Sequence, residues 1–403
     1  MSRYHSYINT AVQLLLSYKG EAPFAITLKN YFAQHKKYGS RDRREIATLC
    51  YQYFRIAVVV PQKVNAEILV AAQFLLSNIA TPLLLDIKPE WKDSCALPLE
   101  EKIILSGLHF DTHALFPLKD HLSPAVDQSA FANALLQQPG LFVRIRPNYQ
   151  KQVIQVLNNN TIANTLVAPD VLLLNQGTPV QTLFTPDKEV VIQDLNSSKV
   201  LNTFLTFFNT WKMQPNNSGK ISVWDCCAAS GGKSILLHDK IEASSLRLAV
   251  SDVRESILKN LSQRFKTAGI QNYRSFVADL AADSYRPTQD EYDIVICDAP
   301  CTGSGTWNRT PEQIPYATEA AIKKYAQIQR KIAVNAVRSL RFNGIFIYIT
   351  CSVFKEENEA TVDYLQAQGM LELVQQEILP GYNNQADSMF TALFVKKLNA
   401  VNK

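Results

Sequence analysis

Two cysteine-bearing stretches, Asp298-Ala299-Pro300-Cys301-Thr302-Gly303-Ser304-Gly305 and Tyr348-Ile349-Thr350-Cys351-Ser352-Val353-Phe354, decide the fold of this chain. Each continues from an apolar run of the kind that forms a buried strand, residues 294–297 and 345–349. Strands that are apolar on both faces are typical of parallel sheets covered by helices. The sequence therefore predicts that both thiols lie at the carboxyl edge of one parallel sheet, where open α/β sheets bind ligands.

Strands and helices alternate from residue 220 to the end of the chain, which indicates an α/β domain over residues 220–403. The predicted strands are 221–226, 247–251, 273–278, 292–297, 343–349, 371–376 and 388–396. Two long helices are predicted between them, over 255–268, where Gly269 ends the helix, and over 318–340.

The chain before residue 220 has two further sequence patterns. Residues 1–139 carry apolar side chains at helical intervals and predict an all-α domain. Residues 140–219 mix strand-like and helix-like patterns and predict a small α+β connector, which closes with a polar linker at 214–219. We therefore expect three domains in this 403-residue chain.

Composition excludes several classes of protein. No apolar stretch approaches the ~18 to 20 residues of a membrane span, and the first residues do not resemble a signal peptide, so we expect a soluble, cytoplasmic protein and no membrane partner. The seven cysteines are scattered and odd in number, which argues against a disulfide scaffold. No C-x2-C pair recurs and no histidines follow at ligand spacing, so neither zinc nor another structural metal is expected.

Positive charge is concentrated at the amino terminus. Residues 1–55 hold nine Lys and Arg against three Asp and Glu, whereas the whole chain has a net charge of only +5. A local basic cluster favours contact with a polyanion, although a solvated helix face would have the same composition.

A third stretch, residues 223–234, predicts a cofactor loop beside the thiols. It has a strand, a turn of small residues ending in Gly231-Gly232, and the start of a helix. It matches neither G-x4-G-K-[ST], which needs glycine where Cys227 stands, nor G-x-G-x-x-G. Asp252 follows the next predicted strand and suits ribose hydroxyls, and Asp279 could reach an adenine amino group. The loop could also be an ordinary strand-to-helix turn.

Together these stretches, with Glu356-Glu357-Asn358-Glu359 after the second thiol, resemble the RsmB/Nop/Sun family of RNA cytosine-5 methyltransferases. The resemblance extends to the connector at residues 141–148 and 193–198. It also extends to Tyr38-Gly39-Ser40-Arg41-Asp42-Arg43, which resembles the NusB-like RNA-binding domain of the bacterial RsmB-like members. It implies a Rossmann-like class I methyltransferase domain after a NusB-like domain and a connector.

The resemblance also implies a cofactor and its contacts. The cofactor would be S-adenosylmethionine. Its implied contacts are Cys227, Ala228, Ala229, Ser230, Gly231, Gly232, Lys233, Asp252, Asp279 and Asp298. Ser230 departs from the family pattern, which usually has proline before the two glycines.

The residue types suit this chemistry independently. Carbon 5 of cytosine accepts a methyl group only after a thiolate has added to carbon 6, and a carboxyl group such as that of Asp298 can stabilise the adduct at ring nitrogen 3. The residues alone leave open which thiol attacks, because a Pro-Cys thiol such as Cys301 is the nucleophile of DNA cytosine-5 methyltransferases. The resemblance to the RNA family assigns attack to Cys351 and product release to Cys301.

The expected substrate is a cytosine that is single-stranded or flipped out of a helix, because a thiol must approach its ring face. The resemblance favours ribosomal RNA, with transfer RNA as an alternative, and we expect a monomer. Two other functions stay open, a non-catalytic RNA-binding factor for ribosome assembly and a DNA-modifying enzyme.

Overall fold

The computed structural model describes residues 2–60, 63–108, 110, 112–213, 219–242, 245–287 and 290–397. The chain forms two compact units. The first comprises residues 1–120, 127–138 and 307–318, and the second comprises 121–126, 139–306 and 319–403. The three domains expected from the sequence stay a prediction, and the linker predicted at 214–219 lies, except for its last residue, outside the described residues.

The first unit is built from helices wherever the structure describes it. They are α1 (Arg3–Ser17), α2 (Phe24–Gln34), α3 (Ser40–Ile56), α4 (Ala66–Leu76), α5 (Pro82–Ile87), α6 (Leu99–Ser106) and α7 (Gln128–Leu135), with short 3-10 turns between some of them. Polar caps start several of these helices: Asn65 accepts from the backbone N–H of Ile68 at 2.9 Å at the start of α4. The prediction that this part of the chain is helical is confirmed.

A distant segment, residues 307–318, completes the first unit. The Arg55 guanidinium, 7% exposed, donates to the backbone oxygens of Leu135 at 2.6 Å and Asn308 at 2.8 Å. The backbone N–H of Phe24 donates to the buried Glu312 carboxylate at 3.2 Å. These bonds join the start of the chain to residues almost three hundred positions later.

The second unit opens with a small antiparallel sheet. Its strands are β1 (Leu141–Ile145), β2 (Asn164–Ala168), β3 (Val171–Leu174) and β4 (Val190–Ile192), in the order β2-β3-β1-β4. The helices here are α8 (Gln150–Asn159), α9 (Val180–Leu183), α10 (Leu195–Lys199) and α11 (Asn202–Lys212).

A seven-stranded sheet forms the rest of the second unit. Its strands are β5 (Ile221–Asp225), β6 (Leu246–Asp252), β7 (Tyr273–Val277), β8 (Tyr292–Asp298), β9 (Leu340–Thr350), β10 (Leu371–Leu379) and β11 (Met389–Lys396), in the order β10-β11-β9-β8-β5-β6-β7. The helices are α12 (Gly232–Lys240), α13 (Glu255–Ala268), α14 (Glu319–Arg338) and α15 (Glu359–Ala367). The α/β Rossmann-like fold and the predicted strand positions are confirmed.

The sheet is mixed rather than wholly parallel, which corrects one expectation. Strand β11 runs antiparallel to both of its neighbours, β9 and β10. The connection from β10 to β11 is short, and a parallel return would need a crossover of a dozen or more residues. Because the connection is too short for that crossover, β11 enters as the second arm of a hairpin.

Both faces of this sheet are buried, which explains the continuous apolar runs in the sequence. Along β8, Ile294 and Ile296 face one apolar cluster, and Val295 and Cys297 face the other. Side chains alternate across a strand, so a strand covered on both faces needs apolar residues at every position. Polar and reactive side chains are therefore confined to the strand ends.

Among the described residues, no helix combines the length and the apolar character needed to span a membrane.

Candidate active site

The two cysteines singled out by the sequence meet at the carboxyl edge of the large sheet. Strands β8 and β9 are parallel neighbours, and Asp298 pairs with Ile349 near their ends. Cys301 follows β8 by three residues, and Cys351 follows β9 directly. Their sulfur atoms are 3.2 Å apart, and both side chains are half-buried. The pair can therefore share one proton.

The surroundings favour a proton on Cys301. The neighbouring Cys351 sulfur, followed by burial, raises the pKa of the Cys301 thiol well above its usual range. Cys301 can then donate its S–H to the Cys351 sulfur.

Lys233 and Asp298 form an ion pair next to the thiols. Lys233 lies in the first turn of α12, and its Nζ is 2.5 Å from Oδ2 of Asp298. Burial lowers the pKa of Lys233, but attraction to the Asp298 carboxylate outweighs this, and the pKa is raised. The ammonium also attracts negative charge on Cys351. The site thus contains a fixed cation within electrostatic reach of the second thiol.

The loop from β5 to α12 is shaped by its backbone. Ala229 and Gly231 adopt positive φ angles of 46° and 84°. A Cβ on Gly231 would lie 2.6 Å from the Phe265 ring of α13, whereas one on Gly232 would meet nothing within 4 Å. Glycine is therefore required at 231 for both conformation and packing. The open space at Gly232 leaves the start of α12 accessible to a ligand.

Buried Asp225 joins the end of β5 to α12. Its carboxylate accepts from the Ser234 hydroxyl at 2.6 Å, and its other oxygen is buried without a hydrogen-bond partner. Burial raises the pKa of Asp225 to about 7, against the bond from Ser234, which lowers it.

The two other predicted carboxylates follow the next strands of the sheet. Asp252 ends β6 and accepts from the backbone N–H groups of Ala229 at 3.1 Å and Arg254 at 3.0 Å. The Arg254 guanidinium, itself 60% exposed, also binds Asp252. Asp279 follows β7, is exposed, and accepts from the N–H of Ala281 at 3.0 Å. The structure places these carboxylates on the same sheet edge as the loop.

These groups fit a nucleoside. Carboxylates at the ends of β6 and β7 can accept hydrogen bonds from ribose hydroxyls and an exocyclic amine, and the start of α12 is open above Gly232. The largely exposed Arg254 side chain must move aside to free acceptor positions on Asp252.

Glu357, which the sequence offers only as part of a quoted stretch and without a role, fixes the two thiol-bearing loops. Glu357 is 0% exposed and accepts from the Thr302 N–H at 2.9 Å and its hydroxyl at 2.6 Å. It also accepts from Gln329 at 3.0 Å and from the Ser352 hydroxyl. Burial raises the pKa of Glu357, whereas the bonds from Ser352 and Thr302 lower it. One carboxylate thus joins the residue after Cys301 to the residue after Cys351.

Gly305 brings the same two loops into backbone contact. Its N–H donates to the Cys351 carbonyl at 2.9 Å, and its carbonyl accepts from the Ser388 N–H at 2.8 Å. A Cβ on Gly305 would overlap the Ser388 carbonyl and lie 2.9 Å from the Cys351 carbonyl. The glycine in the first quoted stretch therefore permits this close approach.

Residues 121–126 support the Cys351 loop from outside. The Ser123 N–H donates to the Val353 carbonyl at 2.8 Å, and Leu122 forms a bridge with Phe354. The buried Asn358 side chain donates to the Ser352 carbonyl at 2.9 Å and to the Ser123 hydroxyl at 3.2 Å. No local sequence signal marks residues 121–126, because their role depends on a contact more than two hundred residues away.

Comparisons with known proteins find similar sequences. The family described as 16S rRNA methyltransferase RsmB/F matches residues 210–395. Ribosomal RNA small subunit methyltransferase B of Vibrio vulnificus is 26% identical over 261 residues, which cover 61% of this chain and 57% of that protein. The mouse (Mus musculus) 28S rRNA (cytosine-C(5))-methyltransferase is 27% identical over 146 residues, covering 35% of this chain and 18% of that protein. The chain therefore matches little more than half the length of the first relative.

Solved structures share the fold. The crystal structure of PH0851 has a TM-score of 0.67 at 18% identity and covers 95% of this chain and 96% of its own. That of NSun6 from Pyrococcus horikoshii with SFG has a TM-score of 0.57 at 15% identity, covering 68% of this chain and 94% of its own. Residues 210–395, a little under half of the chain, are therefore similar to the RsmB/F family of methyltransferases.

Proposed function

We propose that this protein transfers a methyl group from S-adenosylmethionine to carbon 5 of a cytosine in RNA. The observation that carries the proposal is the pair of thiols 3.2 Å apart, which lies beside the Lys233–Asp298 ion pair. The same sheet edge holds the Asp252 and Asp279 carboxylates, which suit a nucleoside. The names of the relatives support it, since one is a ribosomal RNA methyltransferase and another a 28S rRNA cytosine-C5 methyltransferase.

The cofactor would lie against the loop after β5. When bound, S-adenosylmethionine supplies an electrophilic methyl group on a positively charged sulfur. Asp252 and Asp279 would accept hydrogen bonds from its ribose and adenine, and the loop 227–233 would contact the remainder. Support comes from the open space at Gly232 and from the NSun6 structure, which contains SFG, an analogue of S-adenosylmethionine.

Cys351 would act as the nucleophile. Its sulfur forms a bond to carbon 6 of cytosine, and the electrons of the carbon 5–carbon 6 double bond move into the ring. The Lys233 ammonium, which donates to Asp298, would also donate a hydrogen bond toward ring nitrogen 3, where negative charge develops. The Lys233 ammonium lies within electrostatic reach of the Cys351 sulfur, and the Cys301 sulfur is 3.2 Å from it.

Cys301 would act in product release. After methyl transfer, a base removes the proton from carbon 5 and the bond from Cys351 to carbon 6 breaks. The S–H of Cys301, 3.2 Å from the departing sulfur, can donate to it as negative charge returns. Cys301 thus assists the reverse of the step that Cys351 begins.

Substitution of each thiol tests these roles. Cys351→Ala should lower methyl transfer to RNA by at least ~10³-fold without loss of S-adenosylmethionine binding, since it removes the nucleophile. Cys301→Ala should accumulate a covalent protein–RNA adduct, seen as a shifted band on a denaturing gel. Cys95→Ala, at a buried cysteine of the first unit, is the matched control. Full activity of Cys351→Ala would overturn the nucleophile assignment.

The RNA substrate is proposed to be ribosomal, with transfer RNA as the alternative. Exposed basic residues around the start of α3, Lys36, Lys37, Arg41 and Arg44, could contact phosphates in the cytoplasm, where this RNA resides. Labelled methyl transfer to total RNA, followed by bisulfite sequencing, would locate the target. Failure with both naked RNA and ribosomal particles would favour a non-catalytic assembly factor.

A further inference from the structure

Three cysteines cluster on the sheet face opposite the Cys351 side chain. Cys226 and Cys227 follow β5, and Cys297 lies at the end of β8. Their sulfur atoms all lie within 4.8 Å of one another. Cys226 and Cys297 are 1% and 0% exposed and belong to the apolar cluster under α14, whereas Cys227 is half-buried and packs against that cluster. The group is thus buried, with one member reaching the cofactor loop.

The register of the sheet creates this cluster. Asp225 of β5 pairs with Ile296 of β8, and the N–H of Cys226 donates to the Ile296 carbonyl at 2.9 Å. Cys226 and Cys297 each follow one member of this pair, so their side chains emerge on the same face. The turn then places the Cys227 sulfur beside them. The sequence separation of about seventy residues hides the cluster from any motif search.

We propose that Cys226, Cys227 and Cys297 form a binding site for a thiophilic ion that takes three sulfur ligands, and that trivalent arsenic fits it best. Thiolates select soft ions. Bonds of about 2.3 Å from an ion to sulfur, the length found for zinc, place three sulfurs around one ion at most about 4 Å apart. The three sulfur atoms lie within 4.8 Å of one another, so binding needs side-chain shifts of less than about 1 Å. Among the described residues, no histidine or carboxylate joins the three sulfurs.

Ligand number and charge distinguish the candidate ions. Structural zinc takes four protein ligands, and only three are present here in the described part of the chain. Three thiolates around zinc would leave one negative charge in an apolar cluster, and monovalent copper would leave two. Trivalent arsenic bound to three thiolates is neutral. The buried position therefore favours arsenic.

The binding step balances without a redox partner. Arsenous acid would exchange its three arsenic–oxygen bonds for three arsenic–sulfur bonds. Each thiol proton leaves with one hydroxide as water, and no electrons are transferred. Binding at Cys227 would also fix the start of the cofactor loop, and this consequence rests on the proposed function. We expect the affinity for S-adenosylmethionine to fall at least about tenfold.

Mass spectrometry of the intact, folded protein tests the site. The double variant Cys301→Ser/Cys351→Ser provides the background, because it removes the other close pair of thiols. After incubation with arsenite, we expect a mass gain of one arsenic atom less three hydrogen atoms. Arsenic held by only two thiols would keep a hydroxyl group and add a different mass. Cys226→Ser or Cys297→Ser in this background should abolish the three-thiol species.

Matched controls make the outcome decisive. Cys50→Ser and Cys95→Ser remove buried cysteines of the first unit and should leave the adduct intact. Cooperative unfolding would show that the Cys297→Ser variant is folded. If that variant is not folded, Cys226→Ser provides the same test. A three-thiol adduct that survives both substitutions, or only a hydroxyl-bearing adduct in the background protein, would overturn the site. Zinc that binds through the same cysteines and displaces arsenic would overturn the choice of ion.

Cofactor binding separates this inference from the proposed function. Arsenic binding with unchanged affinity for S-adenosylmethionine would overturn the coupling to the cofactor loop. Failure of the untreated protein to bind S-adenosylmethionine would instead overturn the proposed function, and the mass measurement would still decide the three-thiol site.

Discussion

The cofactor loop and the thiol-bearing loops lie at the same sheet edge but are held in different ways. The loop between β5 and α12 depends on backbone conformation, with positive φ angles at Ala229 and Gly231 and close packing of Gly231 on Phe265. The loops after β8 and β9 depend on buried polar side chains that converge on Glu357. The difference predicts that an added side chain disrupts the cofactor loop, whereas removal of a buried polar side chain disrupts the thiol-bearing loops.

The largest loss of stability and activity is expected in the thiol-bearing loops, which are held by buried polar side chains. Glu357→Ala would leave the buried donors of Thr302, Ser352 and Gln329 without their acceptor, at about 1 to 3 kcal/mol for each unsatisfied group. We expect a loss of ~4 kcal/mol in the free energy of unfolding, measured with urea. Methyl transfer should fall at least ~100-fold because the two thiols lose their fixed positions.

The control for Glu357→Ala is Glu372→Ala, because Glu372 of β10 forms only an exposed ion pair, with Lys397. This substitution should change the free energy of unfolding by less than about 1 kcal/mol. If S-adenosylmethionine affinity falls as far as methyl transfer in Glu357→Ala, the two kinds of loop are not independent and the comparison fails.

The next effect tests the backbone-held loop. Gly231→Ala combines a positive φ, which costs about 1 kcal/mol, with a Cβ too close to Phe265, which costs about 1 to 3 kcal/mol. We expect a loss of ~3 kcal/mol in stability, with weaker S-adenosylmethionine binding by isothermal titration calorimetry.

Gly177→Ala separates the two costs. Gly177 has a φ of 85°, close to that of Gly231, but a Cβ there would meet nothing within 4 Å. It should lose only about 1 kcal/mol. Equal losses in the two variants would show that packing against Phe265 does not shape the cofactor loop.

The smallest effect concerns the pH dependence contributed by Asp225. Its folded pKa of about 7 lies above the ordinary aspartate pKa of 3.8, so protonation favours the folded state. This stabilisation is fully present below pH ~4 and is lost as the pH rises through about 7. Relative to Asp225→Asn, the wild-type protein should lose roughly 2 kcal/mol in free energy of unfolding between pH 5 and 8. Parallel urea profiles for the two proteins across this range would contradict the assignment.

Much of the fold could be predicted because the large sheet is buried on both faces, so its strands appear as continuous apolar runs. The direction of β11 could not be predicted, since the length of its connection to β10 depends on where both strands end. The thiols and the cofactor loop carry local motifs. Glu357 lies in the quoted stretch 356–359, but its neighbours there are polar and do not predict its burial, which follows from contacts with Thr302 and Gln329.

The contribution of residues 307–318 to the first unit has a consequence for biosynthesis. A ribosome makes the chain from its amino terminus, and domains generally fold as they emerge. The carbonyl partner that Asn308 offers to Arg55 and the carboxylate that Glu312 offers to Phe24 do not exist until most of the second unit has been synthesised. The helical unit, although encoded first, therefore lacks these two partners until residues 307–318 have been made.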